Sequence, residues 1–385
     1  MKVKQQLYKK GKFITNGTSD NFDSNRNTLV LGFGNKELLL ADDLYAALSG
    51  NYPSAEIILC STSGEIYDEN VFDNTVSIVA IEFEQTRFKP IRININDQPD
   101  SYEAGKLLFN QLNDPALAYV MIISDGGLVN GSELVRGIEN VNINNIPVTG
   151  GLAGDGANFN YTVVGYNEKP AKGNIVAVGF YGTQLKVGHA SFGGWEMFGP
   201  EKKVTRSVSN RLYEIDGKSA LELYKQYLGK YAEELPGSAL LFPLNVRLED
   251  NSNSVVRTIL SIDNDDQSMV FAGDIPEGSY VRLMKANFDK IIDAATYAAC
   301  NSLTQFPNAV SAKPKLALLI SCVGRKLILG SRTEEEIEVV KDTFGSETLL
   351  SGFYSYGEIS PLNPNARCEL HNQTMTITTF SEAVS

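Results

Sequence analysis

One plan occurs three times along this chain, and it restricts the fold more than any single motif does. Each occurrence opens with an apolar run that stops at small residues: TLVLGFGN, AYVMIIS into DGG, and KLALLIS into CVGR. A segment of helical period follows, and then a second apolar run. That second run enters a glycine beside a carboxylate: SGE at 63–65, GDG at 154–156 and YGE at 356–358. A third apolar run closes each copy. Apolar runs of this length, bounded by turn residues, read as buried strands. Leu40, Leu44 and Leu48, then Leu134, Val135 and Ile138, then Ile337, Val340 and Phe344 share helix faces. Thr333 and Glu336 have the spacing of a capping box for the last of these helices. Repetition of strand, turn, helix, strand and acidic turn predicts related structural units. The fold class expected is α/β, with two related halves. Mixed sheets would pack against outer helices in a layered α/β/α or α/β/β/α arrangement.

Residues 188–313 stand outside this plan. They open with GHASFGGWEMFGP, which holds the single tryptophan, Trp195. A domain boundary is expected there, dividing the chain into 1–190 and 191–385. Ser219 and Glu222 read as a helix cap. VVRTILSI and SMVFAG flank DNDDQ as a hairpin, SYVRLMKA reads as a strand, and 288–303 reads as a helix. Residues 16–28 are polar and turn-rich and read as a loop. Lys9, Lys10 and Lys12 read as a solvated end.

Charge and composition exclude several function classes. The net charge of −12 disfavours a nucleic-acid partner. No apolar run approaches the roughly 18 residues of a membrane span. The basic N-terminus lacks an apolar signal core, so a cytoplasmic location is expected. Four scattered cysteines and two histidines form no CxxC, HxH or HExxH pattern, so neither a metal nor another cofactor is expected. The oligomeric state is left open.

The glycine-rich stretch TGGLAGDG at 149–156 has three readings. It is a tight turn between strands, a phosphate cradle, or part of a small-ligand pocket. Asp155 would repel phosphate, and no Lys or Arg follows until Lys169. Asp155 beside the Gly150 and Gly151 amides instead suits an ammonium group, or locks the turn. Arg325, just past a strand end, suits a ligand carboxylate or an internal ion pair. In GFYSYGEISP, the aromatics wall a pocket or pack an interface, with Glu358 behind them. Cys322 is a buried small hydrophobe or a nucleophile with His371 as its base, oriented by Asn372 or Glu358. That second option would make the chain a cysteine-dependent amidohydrolase. His371 itself reads more simply as a hydrogen-bonded strand histidine.

SDGG, TGGLAGDGANFNYTVVGY, SALELYKQYLG, LLISCVGRKLILG, GFYSYGEISP and CELHNQTMTITTF together resemble the FIST family. The resemblance runs from about residue 28 to near the end of the chain. It implies an N-terminal FIST domain followed by a FIST C-terminal domain. It also implies a sensory role in signal transduction, with a small ligand of the amino-acid type. The chain is expected to carry no kinase, cyclase, chemotaxis or F-box segment, so output would pass through a signalling partner or an oligomer. An amino acid needs a carboxylate for its ammonium and an arginine or amides for its carboxylate. Ser124, Asp125, Gly150, Gly151, Asp155, Arg325, Tyr354, Tyr356, Glu358 and Asn372 are therefore the candidate ligand residues.

Overall fold

The structure is a computed structural model, and it describes all residues except 19–21, 25, 249–253, 306–312, 363–365 and 384–385. A hairpin of β1 (Lys2–Lys9) and β2 (Lys12–Thr18) opens the chain. The first unit runs β3 (Thr28–Gly34), α1 (Lys36–Leu40), α2 (Asp42–Asn51), β4 (Ala55–Ser61), β5 (Glu65–Tyr67), β6 (Asn70–Phe72) and β7 (Val76–Glu82). The second runs β8 (Arg87–Asn94), α3 (Ser101–Leu112), β9 (Leu117–Ser124), α4 (Gly131–Val141), β10 (Val148–Leu152), β11 (Val164–Tyr166) and β12 (Asn174–Tyr181).

After β13 (Leu185–Phe192) comes an inserted module. It holds β14 (Glu196–Val208), β15 (Arg211–Ile215), β16 (Lys218–Ser219), α5 (Ala220–Leu228), β17 (Leu244–Arg247), β18 (Ser254–Arg257), β19 (Ile259–Asp263), β20 (Ser268–Phe271) and β21 (Tyr280–Lys285). The third unit has α6 (Phe288–Thr304), β22 (Leu316–Cys322), α7 (Val323–Leu329), α8 (Glu335–Phe344), β23 (Leu349–Ser355), β24 (Gly357–Pro361), β25 (Cys368–His371) and β26 (Met375–Glu382).

The repeat becomes three six-stranded sheets: β11-β4-β3-β7-β1-β2, β25-β24-β10-β9-β12-β8 and β6-β5-β23-β22-β26-β13. Each contains one parallel pair, β3 with β4, β9 with β10, or β22 with β23, flanked by antiparallel strands. The strand after each acidic turn leaves its own unit. β5 joins the third sheet, β11 the first and β24 the second, so the units are linked in a closed exchange. The expected boundary at 190/191 falls within β13, which pairs with β26.

Strand parity explains the core. Leu29, Leu31 and Phe33 face a central cluster, as do Tyr119, Met121 and Ile123, and Leu316, Leu318 and Ile320. The alternate residues face the helices: Val30 meets α2, Val120 and Ile122 meet α3 and α4, and Leu319 meets α6 and α8. Successive side chains point to opposite faces, so strands covered on both sides read as continuous apolar runs. The α/β class with mixed sheets against outer helices is thus present, and three sheets enclose one common core.

Two local expectations are corrected. The 16–28 stretch is not a loop throughout, because residues 16–18 end β2, which pairs with β1, and Lys9 and Lys12 flank the hairpin turn that holds Lys10. Part of the 16–28 stretch lies outside the described residues. The Thr333–Glu336 capping box does not form. Thr333 Oγ1 donates to the Gly330 carbonyl at 2.6 Å, and Glu336 turns inward. Ser219 does cap α5, its Oγ accepting the Glu222 amide at 3.2 Å.

Candidate functional site

The carboxylates that the repeat places beside glycines mostly secure turns. Asp125 is buried, and its carboxylate accepts the amides of Gly127 at 2.8 Å, Leu128 at 2.7 Å and Gly173 at 2.9 Å. Ser124 Oγ donates to the Asp125 carbonyl at 3.1 Å. Asp155 sits 2.8 Å from Lys36 Nζ, which also lies over the Tyr161 ring. Glu358 is fully buried and accepts Ser355 Oγ at 2.6 Å and Thr374 Oγ1 at 2.9 Å. Burial pushes its pKa up to about 8, against the pull of those hydrogen bonds. Gly150 and Gly151 lie within β10 between β9 and β24, not at an open surface. A Cβ at Gly150 would sit 1.8 Å from the Ile122 carbonyl oxygen, so close strand approach requires glycine there.

Arg325 is an internal ion pair. Its Nε and Nη2 reach Glu336 Oε2 at 3.0 and 2.8 Å. Its remaining donors serve the carbonyls of Gly193 at 2.8 Å and Ile291 at 2.7 Å. Tyr354 gives its hydroxyl to the other Glu336 oxygen at 2.7 Å. The guanidinium is fully buried and has no donor aimed at a ligand.

A cavity of about 450 Å³ lies elsewhere, between the inserted module and the three-sheet body. The body contributes the Gly126–Gly131 turn, the Phe159–Thr162 loop, Cys322–Gly324, Tyr356 and Asn372. The module contributes Thr258, Leu260 and the Phe271–Asp274 segment. Bonds tie the two walls beside it. Arg257 Nη1 donates to the Leu370 carbonyl at 2.8 Å, and Asn130 Nδ2 donates to Asp274 Oδ1 at 3.1 Å. Tyr356 fastens the outer loop: its hydroxyl accepts the Phe159 amide at 3.1 Å, and its ring stacks on Phe159 with centroids 4.8 Å apart.

Asn372 lines the cavity from the turn after β25. The next residue, Gln373, adopts φ 64, a left-handed conformation that turns the chain into β26. Asn372 is fully buried, yet neither its amide oxygen nor its nitrogen has a hydrogen-bond partner. Thr258 Oγ1, on the module wall of the same cavity, is buried and unpartnered as well.

Cys322 lines the cavity, but its thiol is not activated. Burial and the nearby Glu358 charge push its pKa well up. His371 is not its base. Its Nε2 is 2.8 Å from the Ser360 carbonyl oxygen, and burial pushes its pKa down to about 4. The nucleophile–base pair considered from the sequence therefore does not assemble.

Of the residues singled out in the sequence, Tyr356, Asn372 and Cys322 meet at the cavity. Asp155, Arg325, Tyr354, Glu358 and His371 do not line it. Thr258 and Asp274 were not foreseen, since they belong to no motif and share the cavity with Asn372 only through tertiary packing. Among the described residues, no cluster of three His, Cys, Asp or Glu is placed to hold a metal ion. No helix among them is long and apolar enough to cross a membrane.

Comparison with known proteins covers most of the chain. The model of the FIST N domain matches residues 28–218, and that of the FIST C domain matches 220–361. An uncharacterized protein of Methanocaldococcus jannaschii is 25% identical over 241 residues, covering 55% of this chain and 45% of that protein. The match thus spans less than half of that relative's length.

Proposed function

Because this chain belongs to the FIST family, whose domains are associated with sensory roles in signal transduction, we propose that it is a cytoplasmic sensory protein binding a small molecule in the cavity between module and body. The observation that carries this reading is the Asn372 amide, fully buried and without a partner in the lining of that cavity. Buried polar groups are nearly always hydrogen-bonded, and leaving one unpaired costs about 1–3 kcal/mol. A ligand that completes the amide recovers that cost. Asn372 and Thr258 are closed to water, so a ligand reaching them must part the two walls. Binding would then shift the module relative to the body, and a partner or oligomer would sense that shift. An amino acid would need counter-charges other than Asp155 and Arg325, because Lys36 and Glu336 already pair with them.

The test is thermal unfolding against a panel of amino acids, polyamines, keto acids and uncharged amides. A ligand at 100 times its dissociation constant adds about 2.7 kcal/mol. A selective rise in the midpoint, absent in Asn372→Leu, is the expected outcome. A rise that survives that substitution moves the site elsewhere, and a flat panel leaves the sensory reading unsupported.

A further inference from the structure

The polar groups around the cavity are mostly committed. Asn130 caps α4 through Oδ1 and donates Nδ2 to Asp274. Thr162 Oγ1 accepts the Gly126 amide at 2.9 Å, and Asn210 Nδ2 donates to the Phe271 carbonyl at 2.8 Å. Asn372 and Thr258 keep free hydrogen-bonding atoms. A side-chain amide presents an acceptor and a donor side by side, so its best complement is a donor beside an acceptor. Among the described residues of the lining, the single charged one is Asp274, already holding Asn130, and none is cationic. A carboxylate ligand would find no counter-charge among those lining residues and a like charge beside it. An unpaired buried charge is far more costly than an unpaired amide. The remaining wall is largely apolar, with Leu128, Leu152, Leu240, Leu260, Phe271 and Val323.

We infer that the cavity selects an uncharged ligand with an apolar body and a planar amide-type edge, read by Asn372 with Thr258 as a further contact. This rests on the ligand-binding reading above and narrows it to a chemical class. It replaces the zwitterion expected from the residue types alone. Asn372 reads the edge from the body and Thr258 meets it from the module, so one ligand bridges both walls.

Three near-isosteric probes test the inference by calorimetry on the full chain: benzamide, benzamidine and benzoate, which are neutral, cationic and anionic. Benzamide is expected to bind at least about tenfold more tightly than either charged probe, a difference of about 1.4 kcal/mol. Asn372→Leu is expected to remove benzamide binding. Asn372→Asp, which can only accept when ionised, should shift the preference toward benzamidine. Thr258→Val supplies a second variant on the other wall and should weaken benzamide several-fold. Circular dichroism of each variant establishes that it is folded. Equal or tighter binding of benzoate or benzamidine to the natural chain overturns the inference, as does no measurable benzamide binding. Unchanged benzamide affinity in both Asn372→Leu and Thr258→Val also overturns it. If a charged compound of the wider panel binds in an Asn372-dependent way, the cavity reading stands and only the ligand class falls. If no compound binds, both fall.

Discussion

Glu65 and Glu358 are the same carboxyl in two units of the repeat. Glu65 accepts Thr62 Oγ1 at 2.7 Å, the Thr75 amide at 3.1 Å and Thr75 Oγ1 at 2.8 Å. Glu358 accepts Ser355 Oγ at 2.6 Å, the Thr374 amide at 3.2 Å and Thr374 Oγ1 at 2.9 Å. In each unit the carboxyl ties the end of the second strand to the residue before the third. In the second unit the residue before β12 is held instead from the end of the first strand, where Asp125 Oδ2 accepts the Gly173 amide at 2.9 Å.

These two carboxyls make stability fall as pH rises. Burial raises Glu65 to about 7 and Glu358 to about 8, against 4.5 for the free group. The folded chain therefore holds protons that the unfolded chain has released, and their contribution is lost as pH climbs through the folded values. His189 and His371, pushed down to about 4 by burial, act oppositely, but only below their ordinary value of 6.5. Between pH 6.5 and 8 the glutamates govern. Urea unfolding across that window should show declining stability, with a shallower decline in Glu358→Gln. A rising profile would contradict the assignment.

Arg325→Met should be destabilising by about 3–5 kcal/mol, because it leaves Glu336 buried without its partner. Replacing both, as Arg325→Met with Glu336→Leu, should recover much of that loss. Denaturant midpoints measure it. A single variant as stable as the natural chain would mean that the pair is open to water.

The thiols should separate by burial. Cys300 is exposed, whereas Cys60, Cys322 and Cys368 are buried. At neutral pH an aromatic disulfide reagent should modify one thiol quickly, and Cys300→Ser should remove that phase. The others should react only on unfolding, because the thiolate is the reactive form and burial disfavours it. Fast labelling at Cys322 would revive the nucleophile considered from the sequence.

Asn372→Leu should leave the unliganded protein as stable as the natural chain or more so, by up to about 1 kcal/mol, since it removes unpaired buried atoms. The midpoint of thermal unfolding reads this. A loss of several degrees would show that the amide supports the fold and is not held for a ligand.

Much of the scaffold could be read locally. TLVLGFG, AYVMIIS and LALLIS are short apolar runs bounded by turn residues, which identifies them as strands, and their parity places one set of side chains toward the common core and the other toward the helices. The acidic turns were visible as well, and with them the repeat. What no local pattern contains is the pairing partner. β5, β11 and β24 each leave their own unit, and only the packed structure selects which sheet edge receives them. The same holds for charge. Arg325 and Glu336 are eleven residues apart, but their burial depends on α6 and β23 closing over them. Asn372 and Thr258 share a cavity across more than a hundred residues of sequence. Residue types and their period determined which segments are strands and which groups are chemically competent. Tertiary packing decided which of those groups are satisfied internally, because burial and hydrogen-bond completion depend on neighbours that sequence spacing does not specify.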